Sequence, residues 1–172
     1  MVRHFHLLTD EHLHAFGIIV HQFALFERLI ELCIAACLGS RLPITAIAIS
    51  QLSYSAKSDS LKSILYVEGS GLFDHRQQLS SIVDRFNEYS PIRNAVAHHQ
   101  WIEGTGPNSI KPLIVSSRGG KPKIRGLLDE DKDYLPDELF EIGDRLNDIR
   151  RELMQFTVDI GVGPSQEEIM TE

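Results

Sequence analysis

Residues 10–39 read DEHLHAFGIIVHQFALFERLIELCIAACLG and contain the most apolar stretch of the chain. Thr9 or Asp10 can cap a helix at its start, because a short oxygen-bearing side chain accepts hydrogen bonds from the first free N–H groups. Gly39 suits the position after a helix end, since glycine adopts a positive φ without strain. These signals predict one long helix from about Asp10 to Leu38, around which the fold is built.

This predicted helix is apolar over more than half of its circumference. On a wheel of 100° per residue, its polar stripe contains His21, Glu27, Arg28 and Glu31. Its apolar residues are Phe16, Ile19, Val20, Phe23, Phe26, Leu29, Ile30, Cys33, Ile34 and Cys37. Two interpretations of the wide apolar surface remain open: burial against both the core and a second copy of the protein, or a central position in a monomer. The charged residues would be costly at a bilayer centre, so we expect no membrane span.

Length and composition place the chain among soluble globular proteins. Its 172 residues are enough for one domain with a real core, and a net charge of −7 argues against a broad basic surface that coats nucleic acid. Cys33 and Cys37 are the only cysteines, and their spacing favours reduced core thiols in a cytoplasmic protein. Three ionisable side chains among the first six residues argue against a signal peptide.

The rest of the chain predicts further helices and one small β region. Helices are expected at 43–52, 56–67, 74–88 and 136–160, and a further helical segment is expected to carry residues 93–99. Glycine and proline punctuate residues 101–128, which predicts a β-hairpin or three short strands inserted between helices. We therefore expect a mainly α fold, an antiparallel helical bundle that forms a single domain over residues 1–172. The end, 161–172, is expected to be a flexible tail.

The most specific motif is RNAVAH at residues 93–98, which HQW follows at 99–101. Ser90 suits an N-cap and Pro91 suits the first helical position. The motif is therefore expected on a new helix, or on a kinked continuation of the preceding one.

The three polar residue types of this motif fit RNA cleavage without a metal. That reaction needs a base for the ribose 2′-hydroxyl, a cation for the charge on the phosphate and an acid for the leaving oxygen. His98 can transfer protons near neutral pH, and Arg93 offers a planar charged fork near a helix start, where free N–H groups favour an anion. Asn94 lies four residues before His98, so its amide can orient the imidazole. Arg93 and His98 are about 140° apart on a helix, so their convergence requires the long arginine side chain or a second subunit.

The pattern R-N-x-x-x-H, late in a helical bundle and after a long apolar helix, resembles the HEPN superfamily. The resemblance implies a homodimeric, metal-independent endoribonuclease of toxin–antitoxin or defence type, with RNA as substrate, no cofactor and an antitoxin protein as partner. It assigns the catalytic positions to Arg93, Asn94 and His98, and the products to a 2′,3′-cyclic phosphate and a 5′-hydroxyl. The alternative is a non-catalytic dimeric module of the same fold that binds a protein partner or a nucleotide.

His99 is a second candidate for the catalytic histidine. Some members of the superfamily have one or two more residues between arginine and histidine, and then carry a tyrosine two positions after the histidine. His99 fits that variant, except that Trp101 stands in the tyrosine position. We expect His98 to be the catalytic one.

A basic segment follows the motif. Residues 104–128 contain no acid, and their cations are Lys111, Arg118, Lys121, Lys123 and Arg125. This segment carries +5, which leaves −12 for the rest of the chain, so it resembles an RNA-contacting arm on an acidic protein. A solvated loop whose lysines prevent strand pairing is the alternative. Trp101 is expected either to stack on an unpaired base or to fill a gap in the core.

No metal site is expected from the remaining polar residues. The histidines near the start of the chain are His4, His6, His12 and His14. His12 and His14 point to different helix faces, and no carboxylate pattern completes a site. The acids at 129–133 are expected to lie in a solvated loop.

Overall fold

The computed structural model describes residues 7–118, 121–125 and 132–162. Its elements are α1 (Asp10–Cys37), α2 (Leu42–Ala48), α3 (Tyr54–Leu65), a 3-10 turn (Phe73–His75), α4 (Arg76–Asn87), α5 (Ser90–His98), β1 (Gln100–Glu103), β2 (Ile110–Arg118), β3 (Lys121–Arg125) and α6 (Pro136–Asp159). The predicted fold class, mainly α with a small β region, is confirmed. Most of the predicted tail lies outside the described residues.

The chain divides into two compact units, and each unit combines two separate stretches. Unit 1 comprises Met1–Gln22 and Tyr89–Leu146, and unit 2 comprises Phe23–Glu88 and Asn147–Glu172. Both α1 and α6 begin in unit 1 and end in unit 2. The single-domain organisation therefore stays a prediction.

Local hydrogen bonds define both ends of α1. The Thr9 hydroxyl accepts a hydrogen bond from the backbone N–H of His12 at 3.4 Å, and Nδ1 of His12 accepts one from the backbone N–H of Thr9 at 3.2 Å. This reciprocal pair satisfies two free donors of the first turn. At the other end Gly39 has a φ of +60°, and the N–H of Ser40 donates to the carbonyl of Ala35 at 2.9 Å. That bond and the positive φ form a Schellman end, as the glycine predicts.

Aromatic rings from α1, α3 and α4 form the core of unit 2. Phe26 and Phe86 stack with their centroids 3.6 Å apart and their planes within 8°, and Phe23 meets Phe86 edge-on at 4.6 Å. Cys33 and Cys37 are free and buried, and burial raises the pKa of the Cys33 thiol to about 12. The cysteines are therefore core thiols, as expected.

The polar stripe of α1 is partly buried by an ion network with α3. Nζ of Lys57 lies 2.6 Å from Oε1 of Glu27 and 2.7 Å from Oε1 of Glu31, while Nη1 of Arg28 lies 2.7 Å from Oε2 of Glu31. Burial acts to raise the pKa of the Glu31 carboxyl, but hydrogen bonds from Lys57 and Arg28 outweigh it and hold that pKa below its usual value. Lys57 and Glu31 are both buried, so this network links two helices inside unit 2.

A three-stranded antiparallel sheet in the order β1-β2-β3 belongs to unit 1. β1 pairs with the first part of β2, from Gln100 opposite Leu113 to Glu103 opposite Ile110. The second part of β2 extends past β1 and pairs with β3. An isolated bridge joins Ile110 to Tyr134, just before α6.

Among the described residues, no single helix is long and apolar enough to cross a membrane. α1 and α2 pass that test only as a pair, and they are bent by 109° at the break between them.

Candidate active site

The motif lies on α5, which starts one residue earlier than predicted. Ser90 is itself the first helical residue, so the prediction that it is the N-cap is wrong. Tyr89 occupies that position with helical dihedrals and makes no side-chain capping bond. Pro91 falls in the first turn, where a missing N–H is tolerated. The N–H of Arg93 donates to the carbonyl of Tyr89 at 3.1 Å, so it is not one of the free donors expected to bind an anion.

Arg93 and Asn94 form a pair on the surface of α5. Nη1 of Arg93 donates a hydrogen bond to Oδ1 of Asn94 at 3.2 Å. Asn94 and His98 are exposed, and Arg93 is half-buried. Within the described part of the chain, Asn94 bonds to Arg93 and not to His98. The guanidinium occupies the carbonyl oxygen of Asn94 but leaves its amide N–H groups, so the orientation of the imidazole by Asn94 stays a prediction.

The guanidinium of Arg93 retains unused donor capacity. Its Nε is buried and has no hydrogen-bond partner among the described residues. A guanidinium carries five N–H donors in a fixed fork, and a buried donor without an acceptor is unfavourable. An anion that binds beside α5 would supply acceptor oxygens to this group.

The two adjacent histidines differ in their surroundings. His98 is the last residue of α5 and is exposed. His99 follows in extended conformation, with φ −107° and ψ 153°, and is half-buried. Its N–H donates to the carbonyl of Ala95 at 3.0 Å, which closes the helix before β1. His98 is thus the histidine that solvent reaches most freely.

Trp101 packs inside unit 1. Its ring lies 4.8 Å from that of Phe16 and 5.8 Å from that of Tyr134, measured between centroids. Its Nε1 is buried, with no hydrogen-bond partner among the described residues. The ring therefore packs against two aromatic neighbours, which is one of its two interpretations, and Trp101 as a whole is half-buried.

The basic segment separates into one buried lysine and a hairpin. Lys111 is 5% exposed, so its side chain is not presented at the surface as an RNA contact would require. Arg118 lies on β2, and the other three cations, Lys121, Lys123 and Arg125, lie on β3.

Sequence reasoning missed the role of Asp133, which was expected in a solvated loop. Oδ2 of Asp133 accepts hydrogen bonds from the hydroxyl of Thr105 at 2.6 Å and from that of Ser109 at 3.0 Å. These bonds, led by those from Thr105, lower the pKa of the Asp133 carboxyl. A Cβ on Gly104 would clash with Oγ of Ser109 and with the carboxylate of Asp133, so the turn between β1 and β2 favours glycine there.

The two described histidines near the start of α1 contact other protein side chains. His12 is buried against Thr9, and the ring of His14 meets that of Phe140 edge-on at 5.4 Å. No group of three potential metal ligands occurs in the part of the chain that the structure describes. His4 and His6 lie outside it.

Comparison with known proteins finds no family model, no curated protein and no solved structure that matches this chain.

Proposed function

We propose that the chain is a metal-independent endoribonuclease that acts as a homodimer, with Arg93, Asn94 and His98 in its active site. The observation that carries the proposal is the open surface of α5. Asn94 and His98 are exposed on it, and Arg93 is held beside Asn94 by a hydrogen bond. Had these side chains been sealed in the interior, no phosphodiester could reach them.

In the proposed reaction, a ribose 2′-oxygen attacks the adjacent phosphorus as its proton passes to a base. The bond from phosphorus to the 5′-oxygen breaks, and an acid protonates that oxygen. The products are a 2′,3′-cyclic phosphate and a 5′-hydroxyl, so no oxidant or metal is needed. Arg93 stabilises the negative charge on the phosphoryl oxygens, and its partner Asn94 holds the guanidinium. His98 transfers the proton.

A second copy would complete the site. The reaction needs a base and an acid, and each copy supplies one freely exposed histidine of the motif, His98. On α1, Leu13 and Val20 are exposed, and a Cβ on the intervening Gly17 would meet nothing within 4 Å. This apolar surface is available to a second copy and supports the dimer.

Cleavage of an end-labelled, mixed-sequence RNA in EDTA tests the function. The wild type should cut the RNA, His98→Ala should lose cutting, and the neighbouring His99→Ala should keep it. The cleavage rate of Arg93→Lys should be at least ten-fold lower than that of the wild type, because an ammonium group cannot replace the bidentate guanidinium fork. Circular dichroism must show that every variant is folded. No cutting by the folded wild type, or equal cutting by His98→Ala, would refute the proposal.

Mixing two inactive variants tests the composite site. Suppose that each site takes Arg93 from one copy and His98 from the other. Co-refolding of Arg93→Ala and His98→Ala chains should then recover about a quarter of wild-type activity. Half of the dimers contain one chain of each kind, and each such dimer has one intact site out of two. If the mixture stays inactive while wild type refolded in the same way is active, the site does not combine Arg93 of one copy with a single His98 of the other.

A non-catalytic binding module is the second candidate. The observation that favours it is the environment of His98, which has no hydrogen-bond partner among the described residues to fix its tautomer. If the wild type cuts no RNA but retains a labelled nucleotide or RNA, and Arg93→Ala abolishes that retention, the surface of α5 is a binding site and not a catalytic one.

A further inference from the structure

The polarity of α2 is the reverse of what a surface helix normally shows. Its sequence is LPITAIA, and its one polar side chain, Thr45, is buried, with a hydroxyl that has no hydrogen-bond partner among the described residues. On the outer side, Ile44 and Ile47 are 60% and 76% exposed, and Pro43 and Ala48 are exposed as well. A surface helix usually buries its apolar side chains and leaves the polar ones in water. The outer side of α2 therefore exposes apolar area whose removal from water is favourable.

The same apolar surface continues onto the ends of α1 and α3. Leu38 follows α1, Tyr66 and Val67 follow α3, and all three are more than half exposed. The N–H of Gly71 donates to the carbonyl of Cys37 at 3.0 Å, so the turn after α3 crosses the end of α1. All of these residues belong to unit 2. The five most exposed apolar side chains of this region form what we call the α2 patch: Leu38, Ile44, Ile47, Tyr66 and Val67.

The α2 patch has the size of a binding surface. Each of its five side chains is more than half exposed, so together they present on the order of 600 Å². The largest apolar patch of a typical monomer measures about 300–600 Å² and is often a binding site. A standard interface takes about 800 Å² from each partner. The patch therefore supplies most of the surface that one partner of a stable complex contributes.

Two exposed residues of opposite charge border the patch. Arg41 immediately precedes α2, and Glu68 immediately follows Val67. In the part of the chain that the structure describes, neither forms an ion pair. A two-fold axis midway between them places Arg41 of one copy beside Glu68 of the other, and the symmetry forms this pair twice. The border of the patch is therefore complementary in charge to a second copy of itself.

We propose that the α2 patch binds the α2 patch of a second copy, with Arg41 paired to Glu68 across a two-fold axis. The proposal is independent of the proposed nuclease, because it uses no residue of α5. It also differs from the surface around Leu13 and Val20, which belongs to unit 1. If both contacts form, dimers join into tetramers. A lipid surface fits the patch less well, because Glu68 would face anionic headgroups that favour cations.

The mass of the protein in solution, measured by sedimentation at increasing concentration, tests the contact. The test variant is Ile44→Gln, Ile47→Gln, which changes only side chains that are already exposed. At concentrations that saturate the association, its mass should be half that of the wild type, whether or not the α1 surface also pairs. The matched control is Leu7→Gln, Leu135→Gln, which removes two exposed apolar side chains outside the patch and should keep the wild-type mass. Circular dichroism must show that both variants are folded.

Charge reversal tests the two-fold pairing itself. Arg41→Glu and Glu68→Arg should each raise the dissociation constant at least ten-fold, because two attractive pairs in each interface become repulsive. In an equimolar mixture of these two variants, a pair made of one chain of each kind regains both opposite-charge contacts. The mixture should therefore associate at least ten-fold more tightly than either variant alone. Arg151→Glu, a reversal at an exposed position on α6, should leave the association unchanged.

Three results would overturn the proposal: equal masses of the wild type and the isoleucine variant at every concentration, an equal loss of mass in the control, or a mixture that associates no more tightly than its components. Binding of lipid vesicles through Ile44 and Ile47, with no change in mass, would also overturn it. The outcome is separable from that of the proposed function. A wild type that self-associates through the patch but never cuts RNA refutes the nuclease alone, while one that cuts RNA and has the same mass as the isoleucine variant refutes the α2 contact alone.

Discussion

Removal of Lys57 should destabilise the protein far more than removal of an exposed cation from the same network. The Lys57 side chain is 6% exposed and bonds to two carboxylates, at 2.6 and 2.7 Å. In Lys57→Ala, Glu31 is left with an exposure of only 12% and without its lysine. Nη1 of Arg28 remains 2.7 Å from the other carboxylate oxygen of Glu31, so it offsets part of the lost stability.

The expected cost follows from that geometry. Deleting one partner of a buried pair leaves an uncompensated charge and costs about 3–5 kcal/mol. Because Arg28 remains, we expect the lower part of this range, about 3 kcal/mol, for Lys57→Ala. Arg28→Ala should cost only about 0–1 kcal/mol, since Arg28 is 56% exposed and Lys57 continues to neutralise Glu31. The double variant Lys57→Met, Glu31→Leu should recover most of the loss, because it buries no carboxylate.

Urea unfolding followed by circular dichroism at 222 nm measures these differences in the free energy of unfolding. The pH supplies an independent check. In the wild type the pKa of Glu31 is lowered, so the stability it contributes is present above its unfolded pKa and is lost as pH falls through the folded value. In Lys57→Ala the buried Glu31 should titrate at higher pH, so the difference between the two proteins should shrink from pH 7 to pH 4.5. If Lys57→Ala costs less than about 1 kcal/mol at pH 7, or no more than Arg28→Ala, the reasoning is refuted.

Three further stability predictions follow from single contacts. Burial lowers the pKa of His12, so below about pH 6.5 the unfolded state binds more protons than the folded state. The midpoint temperature of thermal unfolding should therefore fall as the pH is lowered from 7 to 5.5. This fall should be smaller in His12→Gln, whose amide can cap Thr9 without titrating. Asp133→Ala should cost about 1–2 kcal/mol in urea unfolding and speed amide exchange at Thr105; unchanged exchange would contradict its role in the turn. Phe86→Ala should cost about 3–5 kcal/mol, and a value near 1 would show that its stack with α1 contributes little.

The sequence predicted best those elements whose ends are encoded locally. α1 ends as expected because Thr9, His12 and Gly39 act within a few residues of the helix they terminate. The start of α5 was missed by one residue, since Ser90 could act either as a cap or as a helical residue. The preceding residues have helical dihedrals, so the chain turns into α5 without the extended residue that a serine cap needs.

Non-local pairings account for what the sequence did not reveal. Glu27 and Glu31 are like charges four residues apart, which is unfavourable on a helix unless a cation lies between them. That spacing was a usable signal, but it could not identify Lys57 as the cation, because the partner lies on another helix. Asp133 gave no comparable signal in the sequence, since its hydrogen-bond donors come from a turn more than twenty residues earlier.

The sequence identified the residues of the candidate site, and the structure adds which of their side chains are exposed. The motif alone could not separate His98 from His99, but the end of α5 leaves the first exposed and the second half-buried. Lys111 was expected among the RNA contacts because composition does not report burial.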